Sequence, residues 1–188
     1  MGEARQRKER LRKVMIDELT VLAAPPTAHE AAIAAELQSL TASVARRESA
    51  ARLAWANMKP QQCHQNVAAY VRLDPDKSSS HQVGWWQQGD QFVLHSVACI
   101  KGQYICLTPQ QRGVPDKFPF LVDPKITQSD EGEGVIRFLR DGITFPHVVR
   151  VNPERIMRVA SLGIERLSLG IDPNQVWNWM DQEINSHQ

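Results

Sequence analysis

Two residues in this chain have the types and surroundings to act together in covalent chemistry, a cysteine and a histidine. Cys63 stands in Gln61-Gln62-Cys63-His64-Gln65-Asn66, where a short helix is expected to start and run through Val67 and Tyr70 to Leu73. A thiol at a helix N-terminus feels the positive end of the helix dipole and nearby N–H donors, and both favour the thiolate. His95 interrupts the apolar strand pattern Phe92-Val93-Leu94-His95-Ser96-Val97-Ala98. A buried imidazole costs free energy unless it is hydrogen-bonded, so His95 needs a partner. Together they make a nucleophile and a base, the pair that acyl transfer requires. Asn66 shares Cys63's helix face by i,i+3 geometry, either positioning substrate or bonding a loop carbonyl. His64 points about 100° away around the helix and reads as a surface residue. Zinc ligation by Cys63, His95 and Cys106 lacks a Cys-x-x-Cys pair and a fourth ligand, so no metal is expected. No phosphate loop or dinucleotide fingerprint occurs, and no cofactor is expected.

The elements that must hold this pair follow from periodicity and breakers. Residues 3–23 read as a helix with a basic first half and Leu11, Val14, Met15, Leu19 and Leu22 behind it. Pro25-Pro26 breaks it, and Thr27 with Glu30 has the capping-box spacing. From there an apolar stripe at Ile33, Leu37, Leu40, Val44, Ala51, Ala54 and Met58, broken only by Arg47, predicts one helix over 27–58. The first 58 residues are thus expected as an antiparallel helical hairpin, and 59–188 as an α+β domain forming one unit with it. Gln82–Gln88, Gln91–Ile100 and Gln103–Thr108, joined by Gly89-Asp90 and Lys101-Gly102 turns, predict an antiparallel meander. Residues 109–134 read as a long irregular loop and Val135–Val151 as a hairpin around Asp141-Gly142. Helices over Pro153–Leu169 and Pro173–Asn185, the second capped by Asp172, finish the chain. His29, His81 and His147 fall in loops or at helix starts, and Cys99 reads as a buried apolar thiol.

Cys-x-x-Asn opening a helix, then Gly84-Trp85, His95-Ser96-Val97 and a strand ending Thr108-Pro109 resembles the papain-like cysteine hydrolase superfamily. The nearest patterns are its compact transglutaminase-like and arylamine-acetyltransferase-like members. The likeness covers roughly residues 60–125. It implies a Cys-bearing helix packed on an antiparallel sheet, Cys63 as nucleophile and His95 as base and then acid, acting on a peptide, isopeptide or glutamine amide. It also suggests Gln61 or Gln62 as oxyanion donor. Separately, period-two alternation of Trp85-Trp86 puts one ring in the core and the other along a substrate groove, for which Trp85 is the candidate. The departure lies at the third position, where the family's acid maps onto Cys106. Counting outward from the Lys101-Gly102 turn sets Thr108 opposite His95, with Cys106 and Gln110 on the diagonals. Thr108 is the expected orienting residue, with Cys106, Gln110, or a loop Asp116 or Asp123 as alternatives. Loss of catalysis, leaving a protein-binding module on the same fold, is the other reading.

At 188 residues, 42% hydrophobic and 23% charged, the composition is globular and large enough for one ordinary domain. A net charge of +1 gives no global reason for nucleic-acid binding. No stretch approaches the roughly 18 apolar residues of a membrane span, and the charged N-terminus is unlike a secretory signal. Three cysteines then suggest reduced thiols and a cytoplasmic setting. The expected partner is a protein or peptide substrate, with the N-terminal helices as a surface for a further protein.

Overall fold

The computed structural model describes residues 2–110, 114–130 and 136–185. In chain order they form α1 (Gly2–Ala23), α2 (Ala28–Ser39), β1 (Ser43–Arg47), α3 (Ala50–Trp55), α4 (Cys63–Leu73), β2 (Ser79–Gln88), β3 (Gln91–Ile100), β4 (Gln103–Cys106), β5 (Lys117–Val122), β6 (Ile126–Asp130), β7 (Ile136–Arg140), β8 (Val148–Arg150), α5 (Pro153–Ser168) and α6 (Pro173–Asn185). The α+β class is as expected. No helix among the described residues is long and apolar enough to cross a membrane.

The chain divides into two compact units. One gathers the described residues up to Ala32, Gln88–Gln91 and those from Arg150 onward; the other holds Ile33–Gln87 and Phe92–Val149. In the first, α1 packs against α5 and α6 around Met15, Leu19, Val159, Ala160, Leu167, Val176 and Met180. Those residues recur at helical spacing, and burying that stripe is what makes each helix stable. Thr27 caps α2 through its Oγ1, which accepts from the Glu30 N–H at 3.0 Å. The Glu30 carboxylate in turn takes both Nε and Nη2 of the buried Arg150, at 2.7 Å each.

The second unit is built on a closed sheet. Its order is β2-β5-β1-β4-β3, and a β2–β3 pairing completes the ring, with β8 added beside β3. Closure removes the unpaired edges that an open five-stranded sheet would expose. β1 runs parallel to β4 and antiparallel to β5. Ala45, Val97, Cys106, Phe118 and Phe120 fill the interior, with Trp86, Tyr104 and Val122 packed against them. Gly84 is required where β2 crosses β5. A Cβ there would strike the Leu121 carbonyl oxygen and stand 2.8 Å from the Phe120 ring. β6 and β7 form a separate two-stranded sheet.

The single helix expected over 27–58 does not form. α2 stops at Ser39, β1 follows, and α3 restarts with Ser49 at its N-cap. The Thr41-Ala42-Ser43-Val44 stretch is a weak helix former, and pairing on both edges in the closed sheet outweighs its helical periodicity. The expected helical hairpin fails with it, since 1–58 contains a strand and α1 lies against α5 and α6. The supposed loop over 109–134 holds β5 and β6, and β7 pairs with β6 rather than turning back on β8. The meander and the two C-terminal helices agree with expectation within a few residues.

Candidate functional site

β3 is the axis of the site, because alternation along it sorts side chains to opposite faces. Ser96 and Ala98 face outward toward α4. His64 Nδ1 lies 2.7 Å from Ser96 Oγ, and Ala98 clusters with Val67, Leu53 and Leu107. His95 and Val97 face the barrel interior, where the His95 ring lies 5.8 Å from both Trp86 and Phe118.

Cys63 opens α4 as expected, and its thiol is half-buried. Burial pushes the thiol up, and the backbone N–H groups of Ser96, His64 and Cys63 itself oppose that rise. The neighbouring Cys106 raises it further when charged. The sulfur therefore rests against the peptide joining His95 to Ser96, with Cys106 close by. Cys63 is not among the hydrogen-bond partners of the His95 ring.

The sulfur bonded to that ring belongs to Cys106. Its Sγ lies 3.3 Å from His95 Nε2 and 3.4 Å from Arg47 Nη1. His95 is 4% exposed, and burial with the nearby His64 and Arg47 charges lowers it to about 3. The Cys106 thiol is raised by burial, against which the Thr108 N–H and the Arg47 cation act.

Thr108 is not the residue that holds His95. The pairing Ala98↔Ile105, Cys99↔Tyr104 and Ile100↔Gln103 has the expected register, but β4 ends at Cys106, short of Thr108. Thr108 Oγ1 is buried without a hydrogen-bond partner, and the ring turns to the diagonal neighbour instead. Asp123 is committed on the outer side, accepting from Trp85 Nε1 at 2.9 Å and Arg140 Nε at 2.8 Å. Trp85 is fully buried in that contact and lines no groove. Asp116 takes the Arg47 N–H on its backbone oxygen at 2.8 Å while its side chain stays exposed. Gln110 is exposed beyond the end of β4.

Asn66 is likewise structural: its amide receives the Lys59 N–H at 3.0 Å and donates to the Lys59 carbonyl at 2.7 Å. It pins the α3–α4 connection, in which Gln61 has φ of 61° and Gln62 is the α4 N-cap without a side-chain cap bond. Both glutamines are exposed next to Cys63.

Sequence reasoning missed three participants. Arg47 announced itself as the one break in an apolar stripe, but the helical reading hid that it ends a strand. His64 is half-buried rather than a surface residue. His81 stands on β2, its Nε2 also 2.7 Å from Ser96 Oγ. A hydroxyl can donate to one ring nitrogen and accept from the other, so Ser96 satisfies both. Burial lowers each of these histidines to about 4, with the charges of His81 and His147 also depressing His64.

A cleft of about 390 Å³ runs beside α4, lined by Leu53, Trp55, Met58, Tyr70, Ile105 and Leu107 among others. Cys63, Val67 and Tyr70 share one face of α4 by i, i+4, i+7 spacing. No group of three or more His, Cys, Asp or Glu among the described residues is placed to hold a metal ion. Comparison with protein-family models, with curated proteins and with solved structures yields no match, so the reading of this site rests on its own geometry.

Proposed function

We propose that the protein is a cysteine-dependent hydrolase or acyltransferase of papain-like architecture acting on an amide, with Cys63 as nucleophile and His95 as base. The observation that carries this reading is the thiol of Cys63 lying at the start of α4 against the His95–Ser96 peptide, while His95 Nε2 is taken by Cys106. In the tautomer whose Nε2 carries the hydrogen and donates it to the Cys106 sulfur, Nδ1 is the nitrogen left to accept a proton. Cys63 belongs to α4 on the outer face of β3 and His95 to its inner face, so the step needs the ring to turn toward α4; the Cys63 proton then passes to Nδ1 as the sulfur attacks the amide carbon. The C–N bond then breaks, and the leaving amine takes the proton from the imidazolium. Water or an acceptor amine attacks the resulting thioester and restores the thiol. The cleft along α4, which mixes apolar side chains with Glu48, Arg52, Lys101 and Gln103, suits an extended peptide.

The test is the iodoacetamide alkylation rate of each thiol at neutral pH, read by peptide mass spectrometry. Cys63 is expected to react faster than Cys99, and His95→Ala is expected to slow it by about tenfold or more. An unchanged Cys63 rate in His95→Ala rejects the reading.

A second reading, a protein-binding module with a silent site, is favoured by one specific observation. Burial raises the Cys63 thiol and lowers the His95 imidazole, and both shifts oppose a resting thiolate–imidazolium pair. Under it Cys63 and Cys99 differ only by their exposure, and the His95→Ala rate equals the parent's.

A further inference from the structure

Arg47 ends β1 directly beside Cys106, its partner in the parallel β1–β4 register. Its guanidinium carbon lies 4.5 Å from the Phe118 ring centroid and 4.8 Å from that of Trp86. Nε donates to the Pro115 carbonyl at 2.8 Å, Nη1 to Cys106 Sγ at 3.4 Å, and Nη2 is buried with no partner. Among the described residues no carboxylate is hydrogen-bonded to this guanidinium, and Asp116 acts on it only at longer range. A half-buried cation stacked on aromatic rings favours a counter-charge, and among the described residues the group in direct contact with it that can become an anion is the Cys106 thiol. The same sulfur holds His95 from the other side at 3.3 Å.

We propose that Cys106 serves as a thiolate in the place a carboxylate fills in papain-like sites, and that Arg47 is the positioning residue that makes it one. The proposal rests on the reading of His95 as the base. A thiolate at Cys106 accepts the Nε2–H of His95, fixes the ring with Nδ1 toward the nucleophile, and stabilises the imidazolium formed when Cys63 gives up its proton. The Cys106 proton takes no part in the transfer. The groups that face this sulfur are Arg47 from β1, His95 from β3, the Thr108 N–H and hydroxyl after β4, and Cys63 from α4; Asp116 before β5 acts through Arg47. Burial opposes the thiolate and outweighs Arg47 and Thr108 in the resting protein, so whatever thiolate Cys106 forms depends on the cation beside it.

The experiment isolates Cys106 as the sole thiol by Cys63→Ser and Cys99→Ser, and follows ultraviolet thiolate absorbance against pH. Arg47→Met, which keeps an apolar chain against Trp86 and Phe118, is expected to raise the ionisation midpoint by about one pH unit or more, a tenfold loss of thiolate. If that variant does not fold by circular dichroism, Arg47→Gln carries the same expectation. An unmoved midpoint in the variant that folds overturns the proposal. In the chain with all three thiols, Cys106→Ala is expected to lower the Cys63 alkylation rate about tenfold. A Cys106→Ala rate equal to the parent's also overturns it. The two readings fail separately. A midpoint that ignores Arg47 while His95→Ala still slows Cys63 rejects the thiolate and keeps the hydrolase. A midpoint that follows Arg47 while His95→Ala leaves Cys63 unchanged rejects the hydrolase, and with it any catalytic role for the Cys106 anion.

Discussion

Three buried imidazoles meet around two adjacent residues of β3, and their protonation governs how the protein responds to acid. His95 is lowered to about 3, and His64 and His81 to about 4. Unfolded, each imidazole titrates near pH 6.5, so as pH falls through that value the unfolded chain binds protons that the folded protein refuses. The stability these neutral rings contribute is complete above about pH 6.5 and is lost as pH falls toward 4 and then 3. Urea midpoints measured from pH 7 to pH 4 should therefore fall steadily. His81→Gln, which can still hydrogen-bond Ser96, should remove close to one proton from that slope. A midpoint flat with pH would contradict the burial of these rings. Asn66 gives a second prediction at this scale. Asn66→Ala strips both bonds from Lys59 and should cost about 1–3 kcal/mol in urea denaturation. It should also slow Cys63 alkylation, since the loop it pins leads into α4. Cys63 and His95 were legible in the sequence because each is a polar residue in a setting that demands a reason. Arg47 and the Ser96 hydroxyl were not, because their meaning comes from strands 50 residues apart in the chain meeting in one barrel.

At the scale of elements, Gly84 decides whether β2 can lie against β5. Gly84→Ala places a Cβ against the Leu121 carbonyl and the Phe120 ring, which are backbone and packed core rather than a flexible chain end. We expect a loss of about 1–3 kcal/mol in urea unfolding. A similar argument applies to Glu30, whose removal leaves the buried Arg150 guanidinium with only the Leu22 and Ala24 carbonyls. Glu30→Ala should cost about 3 kcal/mol or more, while Glu30→Gln should cost less because one accepting oxygen remains. The elements read correctly from sequence are those whose local signals agree with their packing: α1, α4, the β2–β3–β4 meander, α5 and α6. The Lys101-Gly102 turn even set the β3–β4 register, because turn length leaves a two-stranded pairing little freedom. Elements misread are those formed by long-range pairing, above all β1 and β5, where a strand's partners lie far along the chain.

For the molecule as a whole, charge balance and chain path set the behaviour. With a net charge of +1 and an isoelectric point near 7.8, self-repulsion is weakest close to neutral pH. Solubility at low salt should be least near pH 8 and rise on either side, by turbidity. The chain leaves the helical unit after Ala32, revisits it at Gln88–Gln91, and returns for good at Arg150. No single cut can free either unit.

β1 carries a further consequence, which concerns time rather than structure. Its partners β4 and β5 begin about 56 and 70 residues after it, so the segment has no ladder to join until most of the chain exists. Until then the only pattern it can satisfy is the four-three periodicity that runs from Ile33 to Met58. A chain emerging from the ribosome, or refolding from urea, should first extend α2 into this stretch and later surrender that turn of helix to the barrel. Stopped-flow circular dichroism at 222 nm would record this as ellipticity that overshoots the native value and then decays. Val44→Ala should enlarge the overshoot and slow its decay, because alanine favours the transient helix over the strand that replaces it.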